Sequence, residues 1–301
     1  MKRAGSGWLF PPIVAALLGR CHFPPARSPV TCAVSGGRDS LALLVLATAA
    51  GCDVTAVHVD HGLRPESADE AKVVAEAAAR FGARFETMPI SVLPGPNLEA
   101  RARMARYGAL PPGVLTGHTA DDQAETVLLN LMRGAGIDGL SGMGRRAGAP
   151  VRPLIGLRRA ETGALCDALG LTPVDDPSNL DPALRRNRVR HEVVPLLSDV
   201  AQRDVAPVLA RQADLMAADA ALLDDLAAGL DPTDARALAA APEPLARRAI
   251  RAWLRTGDDR HPPDAATVAR VLAVARGERA ATEVAGGRRV ARSEGRLRVE
   301  G

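Results

Sequence analysis

Over residues 30–133, short apolar runs alternate with longer stretches whose apolar positions recur every three to four residues. The short runs are 30–34, 53–59, 84–89 and 113–117; the second is rich in β-branched side chains, and each reads as a strand. Residues 39–50, 67–81, 97–110 and 120–133 carry helical spacing. Ser67-Ala68-Asp69-Glu70 and Thr119-Ala120-Asp121-Asp122 have the shape of capping boxes, and Asn97 suits an N-cap. Strand and helix alternating at this interval build βαβ units. The expected class is therefore α/β, a Rossmann-like parallel sheet with helices on both faces.

The pattern changes after Gly134. Glycine and arginine dominate residues 134–159, residues 175–187 read as loop, and residues 193–276 are rich in Ala and Leu at helical spacing. Residues 288–291 and 296–299 flank Ser293-Glu294-Gly295 as a terminal hairpin. Near the N-terminus, residues 8–18 are too short and too broken by proline for a signal peptide or a membrane span, and read as a docking helix. The expected organisation is a docking segment (1–25), a catalytic domain (26–203) and a smaller, mainly helical domain (204–301).

Composition narrows the function classes. With 47% hydrophobic residues among 301, the chain has ample material for a core, but only 2% are aromatic. So few rings argue against a protein built mainly to stack single-stranded bases. The net charge of +3 is too small to announce nucleic-acid binding by itself. Cys21, Cys32, Cys52 and Cys166 show neither C-x-x-C nor zinc-like spacing, so they read as small buried side chains in a cytoplasmic protein.

The strongest local feature is Val34-Ser35-Gly36-Gly37-Arg38-Asp39-Ser40, placed after the first strand and opening the first helix. Two glycines let the backbone turn tightly and bring its N–H groups near an anion. The helix N-terminus and the Ser35 and Ser40 hydroxyls add to the same pull. A lone S-G-G is most often a capped turn, but the whole string at a strand-to-helix junction is far more specific. It is not the common nucleotide loop, which needs G-x-x-x-x-G-K-[ST]; the only lysines are Lys2 and Lys72.

The string resembles the PP-loop signature S-G-G-x-D-S of the ATP pyrophosphatases, which cleave ATP to AMP and pyrophosphate. Further strings resemble the lysidine synthase family within that superfamily. They include His58-Val59-Asp60-His61-Gly62-Leu63-Arg64, Glu99-Ala100-Arg101-Ala102-Arg103-Met104-Ala105-Arg106-Tyr107, and Thr116-Gly117-His118-Thr119-Ala120-Asp121-Asp122-Gln123-Ala124-Glu125-Thr126. Arg133-Gly134-Ala135-Gly136, Gly139-Leu140-Ser141-Gly142-Met143, Arg152-Pro153-Leu154, Asp176-Pro177-Ser178-Asn179 and Arg186-Asn187-Arg188-Val189-Arg190 follow in order. One departure is Thr119, where the family commonly has a second histidine.

The resemblance implies a PP-loop ATPase fold and ATP-dependent ligation of free L-lysine to C2 of the wobble cytidine of tRNA(Ile) with a CAU anticodon, through an adenylated intermediate. It implies that Ser35, Gly36, Gly37, Arg38, Asp39 and Ser40, with Asp60, His61 and His118, bind ATP, and that Asp39 helps hold Mg2+. Asp122 and Glu125 share a helix face, and are expected to take the lysine ammonium and its proton beside the catalytic Asp39. Arg103, Arg106 and Asp121 are expected to bind substrate. Arginines concentrate between the domains, and Arg145, Arg146, Arg186, Arg188 and Arg190 are expected to contact tRNA phosphates; the usual role of such runs is a solvated surface. The oligomeric state stays open, a homodimer among the options. Two competing readings are a tRNA thiolase of the same superfamily, which would need reactive cysteines or an iron–sulfur site, and a nucleotide- or RNA-binding module without catalysis.

Overall fold

A computed structural model describes residues 10–60, 67–90, 101, 105, 108–143, 149–174, 176–255 and 263–300. Three strands, β1 (Pro29–Ala33), β2 (Asp53–Asp60) and β3 (Arg84–Pro89), form a parallel sheet in the order β1-β2-β3. Their register runs from Pro29 opposite Asp53 and from Thr55 opposite Arg84. On the free side of β1 the sheet continues through single parallel bridges, Cys32 to Leu115 and Leu115 to Val151. Ala33 N–H to Leu115 O (2.9 Å) and Thr116 N–H to Val151 O (2.9 Å) carry them. The chain thus steps from β1 to β2 and β3 on one side, then returns to the other side, which puts a topological switch point at the end of β1.

Alternation along the strands sorts their side chains. Val30, Cys32, Val54 and Ala56 join one buried cluster, while Val57 and Val59 join another with Leu110 and Val114. Helix α2 (Arg38–Ala49) is buried on every side from Ser40 to Ala47, as befits a helix that is apolar all round. Around it stand α1 (Pro12–Leu18), which buries Val14 and Leu17, and α3 (Ser67–Phe81), whose Phe81 ring stacks on Phe10 at 6.2 Å. Helix α4 (Ala120–Leu131) follows the Leu115 bridge, and α5 (Arg159–Ala168) packs on α2 through a face that includes Thr162, Gly163 and Cys166.

Several expectations change. Residues 113–117 give one bridge position rather than a strand, because Pro111 and Pro112 lack amide donors and Gly113 turns with φ of +75°. Helix α5 has no counterpart in the expected elements. Residues 175–187, expected as loop, contain a 3-10 turn (Pro177–Leu180) and a helical turn (Arg185–Arg188). The latter continues through a π-helical stretch (Val189–Val193) into Val194–Val200.

The chain divides into two compact units, Met1–Asp214 and Leu215–Gly301. Helix α6 (Ala206–Ala228) runs through the division. In the second unit α7 (Ala235–Ala240) and α9 (Ala265–Arg276) begin on the capping carboxylates of Asp234 and Asp264, with α8 (Glu243–Leu254) between them. The terminal hairpin of β5 (Arg289–Ser293) and β6 (Arg296–Glu300) gains a third strand, β4 (Ala281–Glu283), in an antiparallel sheet. Leu238, Ile250, Val271, Val290 and Leu297 fill this unit's own core. Among the described residues no helix is long and apolar enough to cross a membrane.

Candidate active site

At the switch point the backbone leaves β1 and turns into α2. Gly36 takes φ of +88°, which a side chain would strain, and Gly37 is the extended N-cap of the helix. The Ser35 N–H donates to Ser40 Oγ at 3.1 Å, and the Ser40 hydroxyl donates to Gly37 O at 2.9 Å. The loop is therefore closed on itself by the two serines, with the helix N-terminus behind it, a geometry that receives anions. Gly117 brings the neighbouring segment in close: a Cβ there would lie 2.5 Å from the Asp39 carbonyl oxygen. His118 follows, its Nδ1 2.8 Å from Thr116 Oγ1.

Asp39 sits in the first turn of α2. The Thr162 hydroxyl on α5 donates to its carboxylate, and Arg159 Nε lies 3.5 Å away. Burial pushes the Asp39 carboxyl up to about 6, with the nearby Asp122 charge adding to the rise, against the opposing pull of Thr162 and Arg159.

Beside it, Asp122 and Glu125 project from the first turns of α4, 7% and 1% exposed. Asp122 caps its own helix by accepting the Thr119 N–H at 2.9 Å. Three guanidinium groups close on the pair. Arg159 Nη2 reaches Asp122 at 3.0 Å and Glu125 at 3.1 Å; Arg186 reaches Glu125 at 2.7 Å and Asp122 at 3.0 Å; Arg190 Nε reaches Glu125 at 2.7 Å. Burial raises the Asp122 pKa, but Arg159, His118, Arg186 and the Thr119 N–H outweigh it and hold the carboxyl well below the usual range. Asp121 faces away from this group: the Arg158 fork grips it at 2.8 and 3.0 Å, and the Arg159 N–H donates to it at 2.7 Å.

The Arg186-Asn187-Arg190 string is explained by one turn of helix. Arg186 and Arg190 share the face toward Glu125, and between them Asn187 Nδ2 donates to Ser178 O (2.7 Å) and Asp181 O (2.9 Å), pinning the preceding loop. The π-helical stretch begins at Val189; such stretches recur at functional sites.

The structure thus gathers Ser35, Gly36, Gly37, Asp39, Ser40, His118, Asp122 and Glu125 at one sheet edge, with Asp60 at the end of the adjoining strand β2. Arg38 lies over α5 with a half-exposed side chain 3.6 Å from Asp167. Arg188 stays on the surface, paired with Glu192 at 2.8 Å, while Arg186 and Arg190 are turned inward. His61, Arg103, Arg106, Arg145 and Arg146 lie outside the described residues. Sequence reasoning missed Thr162 and Arg159. Only the fold brings α5 against Asp39, and no motif marks it. The cysteines are free, and burial pushes Cys21 and Cys32 up to about 12 and Cys166 to about 11.

Comparison with known proteins adds independent findings. Residues 15–197 match the PP-loop domain family, and residues 234–298 match the TilS substrate binding domain. The tRNA(Ile)-lysidine synthase of Nocardia farcinica is 45% identical over 278 residues, covering 88% of this chain and 84% of that protein. The one from Rhodococcus erythropolis is 44% identical over 78% of this chain and 76% of its own length. The one from Mycobacterium tuberculosis is 43% identical over 74% of each. Among solved structures, the U34-tRNA thiolase NcsA from Methanococcus maripaludis, solved with its [4Fe-4S] cluster, superposes with a TM-score of 0.56 at 16% identity, over 68% of this chain and 77% of its own. That likeness establishes the shared PP-loop fold.

Proposed function

The chain belongs to the tRNA(Ile)-lysidine synthases, ATP-dependent PP-loop ligases that form lysidine on tRNA(Ile), and from that premise we propose how its residues divide the reaction. In the first step the C2 oxygen of the wobble cytidine in the CAU anticodon attacks the α-phosphate of ATP and pyrophosphate leaves. In the second, the ε-amine of free lysine attacks C2 and AMP leaves. The observation that carries the assignment of roles is the closed Ser35–Ser40 loop at the switch point, which itself carries Asp39 and lies beside the Asp122–Glu125 pair.

Ser35, Gly36, Gly37 and Ser40 hold the leaving pyrophosphate with backbone amides and hydroxyls, while the Arg38 side chain lies over α5 beside Asp167. Fixed dipoles aimed at charge that develops on a leaving group are the largest catalytic contribution such a site can make. Asp60 at the end of β2 and His118 beside the loop border the rest of the nucleotide, and His61 is assigned to it by the motif it belongs to. Asp39 offers one carboxylate, and among the described residues no three acidic, His or Cys side chains gather into a protein-built metal cage. That set fits magnesium, which takes one or two carboxylates and completes its shell with phosphate oxygens and water. When bound, the ion neutralises charge on the triphosphate.

Asp122 and Glu125 bind the lysine ammonium. A carboxylate held as low as Asp122 keeps its negative charge at every working pH, so it attracts a cation well and accepts a proton poorly. Its part is electrostatic, and the ammonium gives its proton to solvent water before the amine attacks C2. Arg159, Arg186 and Arg190 already stand against three carboxylates, Asp122, Glu125 and Asp39, so lysine enters a balanced cluster rather than an open anionic pocket. Arg103 and Arg106 are assigned to substrate binding by the family motif they belong to, while Asp121, held by the Arg158 fork and the Arg159 amide, steadies the start of α4 and α5. Arg188, exposed on the surface, is assigned to the tRNA backbone, as are Arg145 and Arg146 from their place in the arginine-rich segment. The setting is the cytoplasm.

The cysteines oppose the thiolase reading. Thiols pushed to about 11 or 12 by burial stay protonated at neutral pH and are poor nucleophiles.

Incubation with ATP, magnesium, labelled lysine and unmodified tRNA transcripts tests the assignment. Label is expected only on tRNA(Ile) with the CAU anticodon, together with AMP and pyrophosphate. Asp122→Asn is expected to keep ATP binding and lose lysine transfer; unchanged transfer in that variant would remove Asp122 from the site.

A further inference from the structure

His58 stands near the end of β2 and is 2% exposed. Its Nδ1 lies 3.0 Å from the carbonyl oxygen of Val34, the residue that precedes the phosphate loop. A carbonyl only accepts, so Nδ1 carries a proton and donates it. The other ring nitrogen, Nε2, is buried without a hydrogen-bond partner. The ring's one polar bond is therefore the bond to Val34.

That bond has a geometric consequence. The Val34–Ser35 peptide is trans and planar, so the Val34 C=O and the Ser35 N–H point in opposite directions from one rigid unit. The Val34 N–H is already committed to Val57 O at 2.9 Å. Turning the Val34 carbonyl onto His58 then aims the Ser35 N–H the other way, into the loop, where it donates to Ser40 Oγ at 3.1 Å. The following residue, Gly36, departs at φ of +88° and offers no side chain to brace the turn. His58 is the side chain that sets the orientation of the first amide of the cradle.

We propose that His58 is a positioning residue for ATP, fixing the Val34–Ser35 peptide plane so that the phosphate loop is preformed before nucleotide arrives. The proposal rests on residues 35–40 being the pyrophosphate site. It separates His58 from a merely structural core histidine, whose loss would change stability and leave the balance between ATP KM and kcat alone.

The test is steady-state kinetics with ATP varied at saturating tRNA and lysine, with thermal melting of each variant. His58→Leu removes the donor and is expected to raise the ATP KM about tenfold with kcat changed less than about twofold. His58→Asn places an amide nitrogen where Nδ1 stands and gives up only the unbonded Nε2; it is expected to restore the ATP KM to within about threefold of the natural protein. His58→Gln reaches to the Nε2 position instead and leaves the Val34 carbonyl unpaired, so it is expected to behave as Leu does. If His58→Leu fails to fold, the Asn and Gln variants decide, and equal ATP KM values for the two overturn the proposal. Ser40→Ala is the control for the underlying reading. If it leaves the ATP KM unchanged, the cradle assignment itself fails. If it raises the ATP KM while His58→Leu and His58→Gln do not, only the positioning role of His58 is lost.

Discussion

The phosphate cradle is made almost wholly of backbone, from residues within one loop, and two serine hydroxyls close it. The cluster around Glu125 is made of side chains carried in on α2, α4, α5 and the helical stretch that begins at Arg185. Both meet at the same sheet edge, yet they answer to different forces. The cradle depends on local conformational freedom at Gly36 and on one close packing contact at Gly117. The cluster depends on charge balance in a place from which water is largely excluded. Damage to the first should therefore show mainly in nucleotide binding, and damage to the second mainly in stability.

The sharpest way to break that contrast is Glu125→Ala. The carboxylate is 1% exposed and accepts from Arg159, Arg186 and Arg190. Removing one side of a buried charge pair leaves the other uncompensated, at a cost of about 3–5 kcal/mol. In the cradle, Ser40→Ala gives up hydroxyl bonds worth about 1 kcal/mol net. Urea unfolding of the two variants is expected to differ by several-fold in stability loss; equal losses would show that the cluster is not the structural centre of the site.

Asp39 tests the same division from the other side. Its folded pKa is raised from 3.8 to about 6, so between those values the folded protein holds a proton that the unfolded chain has released. Stability from this group is present at low pH and falls as pH climbs through that window. The deficit at pH 7 is at most about 3 kcal/mol, reduced by partial exposure of the carboxylate. Asp39→Asn is therefore expected to raise the melting temperature at pH 7.5 and abolish ATP turnover, with the gain shrinking below pH 4. Asp122 runs the opposite way: its lowered pKa contributes stability at neutral pH that disappears as pH falls below the usual carboxylate range. A variant of Asp39 that lost stability at pH 7.5 would contradict the burial argument.

These opposed carboxylates also mark where the sequence could be read and where it could not. The cradle was legible because its chemistry is local: a glycine pair, flanking serines and an adjoining strand-to-helix junction sit in one string from Val34 to Ser40. The fold class was legible for the same reason, since short β-branched runs such as β2 alternate along the chain with helical stretches such as α3, whose apolar positions recur on one face. The partners of Asp122 and Glu125 were not legible, because α5 and the Arg185 turn reach them only through the tertiary fold. Arg159 and Arg190 look alike to any surface arginine in composition. What separates Arg190 from Arg188 is which face of the helix each occupies, and only the tertiary fold shows which face meets Glu125.

A smaller effect sharpens the packing side. Gly117→Ala would place a methyl group 2.5 Å from the Asp39 carbonyl oxygen, a backbone atom that cannot swing aside. Overpacking of this kind costs about 1–3 kcal/mol. Because the obstacle pushes on the first turn of α2, the loss is expected mainly as a raised ATP KM, with tRNA affinity unchanged in filter binding. A clean loss of tRNA affinity instead would detach Gly117 from the cradle.

The smallest stability effect belongs to Arg188, and its value lies in what it separates. Its side chain is 61% exposed and pairs with Glu192 one turn along the helix. Such surface pairs contribute about 0.3–0.5 kcal/mol, so Arg188→Ala is expected to melt within a degree or two of the natural protein. Arg190→Ala, only two residues away in sequence, removes a cation that touches Glu125 at 2.7 Å and should unfold far more readily. If Arg188 contacts the tRNA backbone, its loss weakens tRNA binding about equally for all sequences and lowers the slope of log affinity against log salt by about one. An unchanged slope would leave Arg188 a solvated surface residue, and would place the RNA-facing charge elsewhere than on this helix.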